Sequence, residues 1–290
     1  MSQEMQGKIC LVTGATLGIG KETALGLARK GAHVVIVGRD EARTRETVAW
    51  IEREAGGARV DFLVADLSSQ AEVRRLAEEF KRRYARLDVL LNNAGAIFTQ
   101  RELTVDGIER TWALDHLAEF LLTELLLDRL EASAPSRIVN VASAAHTTGT
   151  MDFDNLQGER KYSGLGAYSR AKLANILFTF ALARRLAGKG VTANCLHPGV
   201  VATGFGQNTP GFVKTLFRLL RPFLITPDKG AATSIYLAAS PDVANVTGKY
   251  FAKCKPIASS KLSTDVAVQE RLWEVSVRQT AARPQVALAG

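Results

Sequence analysis

The chain has 290 residues, 47% apolar and 23% charged, a composition that excludes disorder, collagen or coiled coil as a description of the whole. At this length roughly three-quarters of the unfolded surface can be buried, so one large core suffices. The net charge is +8, yet basic residues interleave with acids, as in E-R-E and E-E-F-K-R-R. That pattern reads as solvated helix faces, and no nucleic-acid partner is expected.

No run approaches ~18 consecutive apolar residues, so no transmembrane helix is expected. The first strand-like run begins at Lys8, which leaves no room for a signal peptide or N-terminal anchor, and a soluble cytoplasmic protein is the expectation. The three cysteines, Cys10, Cys195 and Cys254, form no C-x-x-C pair and suggest neither a disulfide framework nor a zinc site. Neither His116 nor His146 has partners at metal-ligand spacing, so no metal is expected. His116 reads as a core or interface residue, and His146 as a loop histidine, either incidental or touching substrate.

In chain order, apolar runs at Lys8–Thr13, His33–Gly38, Arg59–Ala65, Leu87–Asn92, Ser136–Ala142, Val191–His197 and, more weakly, Gly248–Ala252 predict about seven strands. Their nearly continuous apolar character fits parallel strands covered on both faces. Helical patterns fill the gaps at Ile19–Lys30, Glu41–Glu54, Gln70–Tyr84, Val105–Ala132 and Tyr168–Ala187. This alternation predicts a single-domain α/β fold, a doubly wound Rossmann-type parallel sheet with helices on both faces. The domain is expected to span 1–262, with a lid at about 203–226. Residues 263–290 read as a C-terminal helix, Val266–Arg278, and a tail. The long irregular segments His146–Gly166 and Thr203–Thr226 leave the carboxyl ends of strands, where such sheets bind ligands.

The first strand runs into Thr13-Gly14-Ala15-Thr16-Leu17-Gly18-Ile19-Gly20 and then a helix. Strand, Gly-rich turn and helix together form a dinucleotide pyrophosphate site, with backbone N–H groups at the helix start. An NAD-selective site usually has a carboxylate ending the second strand. Here Gly38 holds that place and Arg39 follows, a guanidinium suited to a 2′-phosphate, so NADP(H) is the expected cofactor. The alternative is an Arg39 paired with Asp40 or Glu41 on the surface. Lys21 reads as solvated. Asp66, ending the third strand beside Leu67, has two readings: an acceptor for an adenine amino group, or a cap for the helix near Gln70. Asn93, Ala94 and Gly95 end the fourth strand with small residues that let a ribose lie against the backbone.

Tyr168 and Lys172, four residues apart, share one helical face. A nearby ammonium lowers a phenol's pKa, which suits Tyr168 for proton exchange with a carbonyl or alcohol oxygen. Ser143 ends the fifth strand, where its hydroxyl can bond the reacting oxygen. Alone, Tyr-x-x-x-Lys is a common accident on exposed helices. Its order after the Gly-rich loop, the strand-end Asn and the strand-end Ser is not common.

On these residues the sequence resembles the short-chain dehydrogenase/reductase family over roughly Lys8 to Phe251. It is most similar to the branch of retinol dehydrogenases and NADPH-dependent carbonyl reductases, through G-I-G-K-E-T-A, G-R-D, N-N-A-G, D-H-L-A-E-F-L-L-T, A-Y-S-R-A-K-L-A-N and H-P-G-V-V-A-T. The resemblance implies that Ser143, Tyr168 and Lys172 are catalytic, Lys172 also binding the nicotinamide ribose. It further implies cofactor contacts from Thr13, Ile19, Arg39, Asp66, Asn93, Pro198, Gly199, Val201 and Thr203. One departure stands out. The family's N-H-L-G-x-F motif begins with an asparagine that holds a water beside the catalytic lysine, and Asp115 stands in its place. A carboxylate there accepts but cannot donate, and favours the charged lysine.

Phe212–Leu224 carries an apolar face and a basic stripe at Lys214, Arg218 and Arg221. It reads as a lid over an apolar pocket, the alternative being a membrane-surface helix. The expected activity is NADP(H)-dependent hydride transfer to a hydrophobic aldehyde or ketone, or from the matching alcohol. Alternatives are a carbon–carbon double-bond reductase and a non-catalytic NADPH-binding sensor or scaffold. Apolar positions Leu173, Ile176, Leu177 and Phe180 on the Tyr168 helix fit either core or a homodimer face.

Overall fold

The computed structural model describes residues 4–199 and 225–281. The Val/Ile-rich runs form β1 (Ile9–Thr13), β2 (His33–Gly38), β3 (Val60–Val64), β4 (Val89–Asn92), β5 (Ser136–Val141), β6 (Val191–Leu196) and β7 (Tyr250–Ala252). An eighth strand, β8 (Lys255–Ile257), completes one sheet of order β3-β2-β1-β4-β5-β6-β7-β8. All neighbours are parallel except β7 and β8. The order reverses beside β1, which opens a crevice outside the carboxyl ends of β1 and β4.

Alternate residues of each strand enter two separate cores. Cys10, Val12, Val34 and Ile36 pack beneath α1 (Gly18–Arg29), α2 (Glu41–Glu54) and α7 (Pro227–Ala239). Leu11, Val35, Leu90 and Ile138 face the other way, toward α3 (Gln70–Arg83), α5 (Ala118–Ala132) and α6 (Gly164–Arg185). Each such fully buried aliphatic side chain stabilises the fold by roughly 1.5–3 kcal/mol relative to exposure. Side-chain caps start most of the helices: Asp40 on the Arg43 N–H, Ser69 on Glu72 and Ser163 on Gly166. α1 is different, because Leu17 offers it no side-chain cap.

α8 (Val266–Thr280) packs across α5 and α6, with Trp273 5.1 Å from the Phe120 ring and 5.7 Å from Phe178. Leu173 and Leu177 are buried in a cluster with Leu272 and Val275, and Ile176 packs beneath Tyr250. These three are therefore core, which resolves their double reading, while Phe180 is half-buried.

Several sequence expectations need correction. The sheet has eight strands rather than about seven, because Lys253 and Cys254 both adopt positive φ (50° and 60°) and turn the chain back into β8. That tight hairpin uses no glycine, so its usual sequence signal is missing. The helix expected from Val105 begins at α4 (Arg110–Trp112), where Glu109 accepts from the N–H groups of Thr111 and Trp112. Val105 instead sits on a turn closed by Gly107 N–H to the Thr104 carbonyl. α4 continues through a π-helical turn, Ala113–Leu117, into α5. The helix expected to open at Tyr168 starts one turn earlier, at Gly164, its first residues disguised by two glycines.

Candidate active site

A cleft of about 640 Å³ runs along the carboxyl ends of β1, β2, β3 and β4. Gly14, Thr16, Gly18, Ile19 and Gly20 form its floor, Arg39, Asp66 and Leu67 one end, and Asn93, Ala94 and Gly95 the other. Gly14 has φ +63°, and a Cβ there would stand 2.8 Å from the Ala94 Cα. A side chain at Gly20 would strike the Asn93 amide. The uncapped start of α1 leaves its N–H groups facing this cradle, as a pyrophosphate requires. The residues present thus fit a dinucleotide.

Thr13 plays another part. Its buried hydroxyl accepts from the N–H groups of Asn93 (2.9 Å) and Ala94 (3.1 Å), while the Asn93 amide donates to the Thr13 and Gly14 carbonyls. Thr13 and Asn93 therefore stitch the two loops together and hold the cradle's shape. Asp66 accepts from the N–H and hydroxyl of its neighbour Ser68, and the cap of α3 is Ser69. The capping alternative for Asp66 therefore falls away.

At the β2 end, the acids near Arg39 are engaged elsewhere: Asp40 on the Arg43 N–H at 2.8 Å, Glu41 with Arg45 at 2.6 Å. Among the described residues Arg39 has no ion pair, and exposed Arg39 and Arg43 both line the cleft. Sequence reading missed Arg43, one turn along on α2. Lys21 is not simply solvated, since its ammonium lies 3.6 Å above the Trp50 ring. Gly38 has no room for the carboxylate of an NAD-type site, because a Cβ would collide with Thr44 and Thr16. Gly38→Asp is expected to lower stability by about 1–3 kcal/mol through overpacking. Urea unfolding would show it, and an unchanged midpoint would mean Thr44 yields.

Half-buried Ser143 and buried Tyr168 and Lys172 converge past the Gly95 end of the cleft. The hydroxyls of Ser143 and Tyr168 are hydrogen-bonded to each other, and the Lys172 ammonium lies 5.6 Å from the Tyr168 ring centre. Lys172 donates to the Val141 carbonyl at 3.1 Å and lies 3.6 Å from Asp115 Oδ2. Asp115 Oδ1 accepts from the Ala96 N–H at 2.9 Å, while Oδ2 has no hydrogen-bond partner among the described residues. The π-helical turn sets the direction of the Asp115 side chain.

The electrostatics are tightly coupled. Burial pushes Asp115 up to about 6, against the pull of Lys172 and the Ala96 N–H. Burial opposes the Lys172 charge, but Asp115, Tyr168 and Glu119 outweigh it and raise its pKa. For Tyr168 burial wins: its pKa is raised although Lys172 and Ser143 pull it down. The expectation of a net lowering by Lys172 was therefore incomplete, because position in the core could not be read from the i, i+4 spacing.

His146 is buried and bonded within the protein, and His116 is buried with its Nε2 on the Ser276 hydroxyl. Glu119 was missed. It lies one turn beyond Asp115, buried, and burial pushes its pKa well above the usual carboxylate range against the pull of Lys172, with Asp115 adding to the push. An acid four residues after Asp115 on an otherwise apolar stripe was the available signal. Val201, Thr203 and the 212–224 stripe lie outside the described residues. Pro198 and Gly199 follow β6. Among the described residues no cluster of His, Cys, Asp and Glu is placed to hold a metal, and no helix is long and apolar enough to cross a membrane.

The family described as short chain dehydrogenase matches residues 8–211. The chain belongs to that family. This short-chain dehydrogenase is 45% identical to mouse (Mus musculus) retinol dehydrogenase 14 over 285 residues, covering 94% of this chain and 85% of the relative. It is an oxidoreductase of the retinol dehydrogenase branch. Among solved structures, it resembles an uncharacterized protein from Mycobacterium paratuberculosis, with TM-score 0.77, 30% identity, and 95% and 94% of the two chains covered. It also resembles a short chain dehydrogenase from Burkholderia cenocepacia in complex with NADP, with TM-score 0.69, 28% identity, and 86% and 96% covered.

Proposed function

We propose that this dehydrogenase reduces a hydrophobic aldehyde or ketone, or oxidises the matching alcohol, with NADP(H). The observation that carries the reading is the Tyr168–Ser143 hydroxyl pair beside buried Lys172, at the end of a dinucleotide-shaped cleft. The NADP named for the Burkholderia structure and the retinol named for the mouse relative point the same way. Arg39 and Arg43 hold the 2′-phosphate, the start of α1 the pyrophosphate, and Asn93 to Gly95 and Pro198 to Gly199 the backbone walls. The bound nicotinamide supplies or accepts the hydride.

The chain's own residues manage the proton. A Tyr168 hydroxyl that burial keeps protonated at neutral pH is a ready acid for a carbonyl oxygen, and Ser143 bonds that same oxygen. As Tyr168 gives up its proton, the Lys172 ammonium stabilises the phenolate. Asp115 keeps Lys172 charged. Cleft and catalytic groups hang from one sheet, so the chain acts as one catalytic unit.

The direct test follows NADPH and NADH oxidation over a panel of aldehydes and ketones that includes retinal. Turnover with NADPH on apolar carbonyls is expected, and a preference for NADH or small polar carbonyls would overturn the reading. Asp115 adds a pH signature. Its carboxylate forms as pH rises through about 6 and opposes the Tyr168 phenolate, while Lys172 stays charged throughout, so kcat/KM for carbonyl reduction should fall across that range. Asp115→Asn should lose that step, and superimposable profiles would remove Asp115 from the account.

A further inference from the structure

Behind Ser143 lies a polar chain built on buried His146 and Tyr250. Ser143 caps the short turn Ala144–Thr148, and its carbonyl accepts from the His146 N–H at 3.1 Å and from the His146 ring Nδ1 at 2.8 Å. The other ring nitrogen, Nε2, lies 3.1 Å from the Ser260 backbone N–H. An amide N–H can only donate, so Nε2 is an acceptor and the proton of neutral His146 sits on Nδ1. Burial holds His146 neutral, against its bond to Ser143.

The Tyr250 hydroxyl stands 3.3 Å from that same Nδ1 and 2.7 Å from His197 Nδ1. With His146 donating, Tyr250 accepts there and has its own proton free for His197. His197 then carries its proton on Nε2. The Ser260 N–H fixes the donor–acceptor sense as far as Tyr250, with the one Nδ1 proton of His146 shared between the Ser143 carbonyl and the Tyr250 oxygen, and the Tyr250 proton passing to His197 completes the proposed chain. His197 immediately precedes Pro198 and Gly199. One hydroxyl, on a ring only 2% exposed, therefore joins the turn that aims Ser143 to the segment leaving β6.

We propose that Tyr250 is a positioning residue, setting Ser143 through His146 and the opposite wall of the site through His197. This rests on the role given to Ser143 above. The Tyr250 hydroxyl bonds to His146 and His197, so its action on Ser143 is indirect. His146 and Tyr250, both buried with their ring nitrogens and hydroxyl bonded, are the kind of paired polar groups that rigidify their surroundings. Glu119, another buried group without a stated task, has an oxygen with no partner among the described residues and offers no comparable chain.

The test is Tyr250→Phe, which keeps the ring that packs at 4.9 Å against His146 and 5.4 Å against His197. In the free protein, nitrogen NMR of the four histidines is expected to show His146 protonated on Nδ1 and His197 on Nε2. In Tyr250→Phe the His197 Nδ1 resonance should move while His33 and His116 stay. A wild-type His146 protonated on Nε2, or an unmoved His197, overturns the proposal without reference to any substrate. With an active carbonyl, Tyr250→Phe should lower kcat about tenfold and leave KM within about twofold. In a Ser143→Ala background it should cost less than about twofold further. Equal losses in both backgrounds would show that Tyr250 does not act through Ser143. Absence of Tyr168-dependent turnover in the unmodified protein would instead count against the reductase reading, with the NMR result standing independently.

Discussion

Tyr168→Phe is expected to lower turnover by about a hundred- to ten-thousandfold, the range for losing a positioned general acid. NADPH affinity should stay within about threefold, because the pyrophosphate cradle and the Arg39 end of the cleft lie on other elements. The ring still fills its place in the core. The bond to Ser143 is lost, worth about 1 kcal/mol of stability. Steady-state kinetics and cofactor fluorescence titration measure the two halves. A mutant retaining more than about a tenth of the activity would mean that the proton comes from elsewhere, and Tyr168 would become a packing residue.

Arg39→Ala should act on affinity instead. Losing charge-assisted bonds to a 2′-phosphate is expected to weaken NADPH binding by about ten- to a hundredfold, while NADH binding changes by less than about threefold. The neighbouring acids are already engaged, so removing Arg39 breaks no ion pair among the described residues. The loss should shrink as salt rises, since Arg39 is exposed. Parallel titrations with the two cofactors decide the matter. Equal loss for both would place Arg39 near the shared part of the dinucleotide, and no loss for either would leave it on the surface.

The frame of this molecule was legible in the sequence because strand and helix patterns repeat cleanly from Lys8 to Leu196. The Gly-rich loop, Asn93, Ser143 and the Tyr168–Lys172 pair were legible for the same reason. Each sits at a strand end or on a helix face whose period is plain. What escaped reading depended on three dimensions. The β7–β8 hairpin turns on Lys253 and Cys254, residues that seldom take positive φ. The π-helical turn that aims Asp115 leaves no mark on an apolar period. The raised pKa of Tyr168 comes from burial, which spacing does not reveal, although the pull of Lys172 was foreseeable. Thr13 looked like a cofactor contact because of its position, yet its hydroxyl is committed to the backbone of Asn93 and Ala94. His146 looked like a loop residue, incidental or touching substrate, but Ser260 and Tyr250 return from far along the chain to enclose it.

The measurement that bears most directly on the central claim is transfer of label from NADPH deuterated at the reactive ring carbon. Retinal serves as the carbonyl, and mass spectrometry reads the alcohol. Deuterium at the former carbonyl carbon, from one of the two labelled forms of NADPH and absent with Tyr168→Phe, is the predicted result. Consumption of NADPH with no label in the alcohol would contradict it.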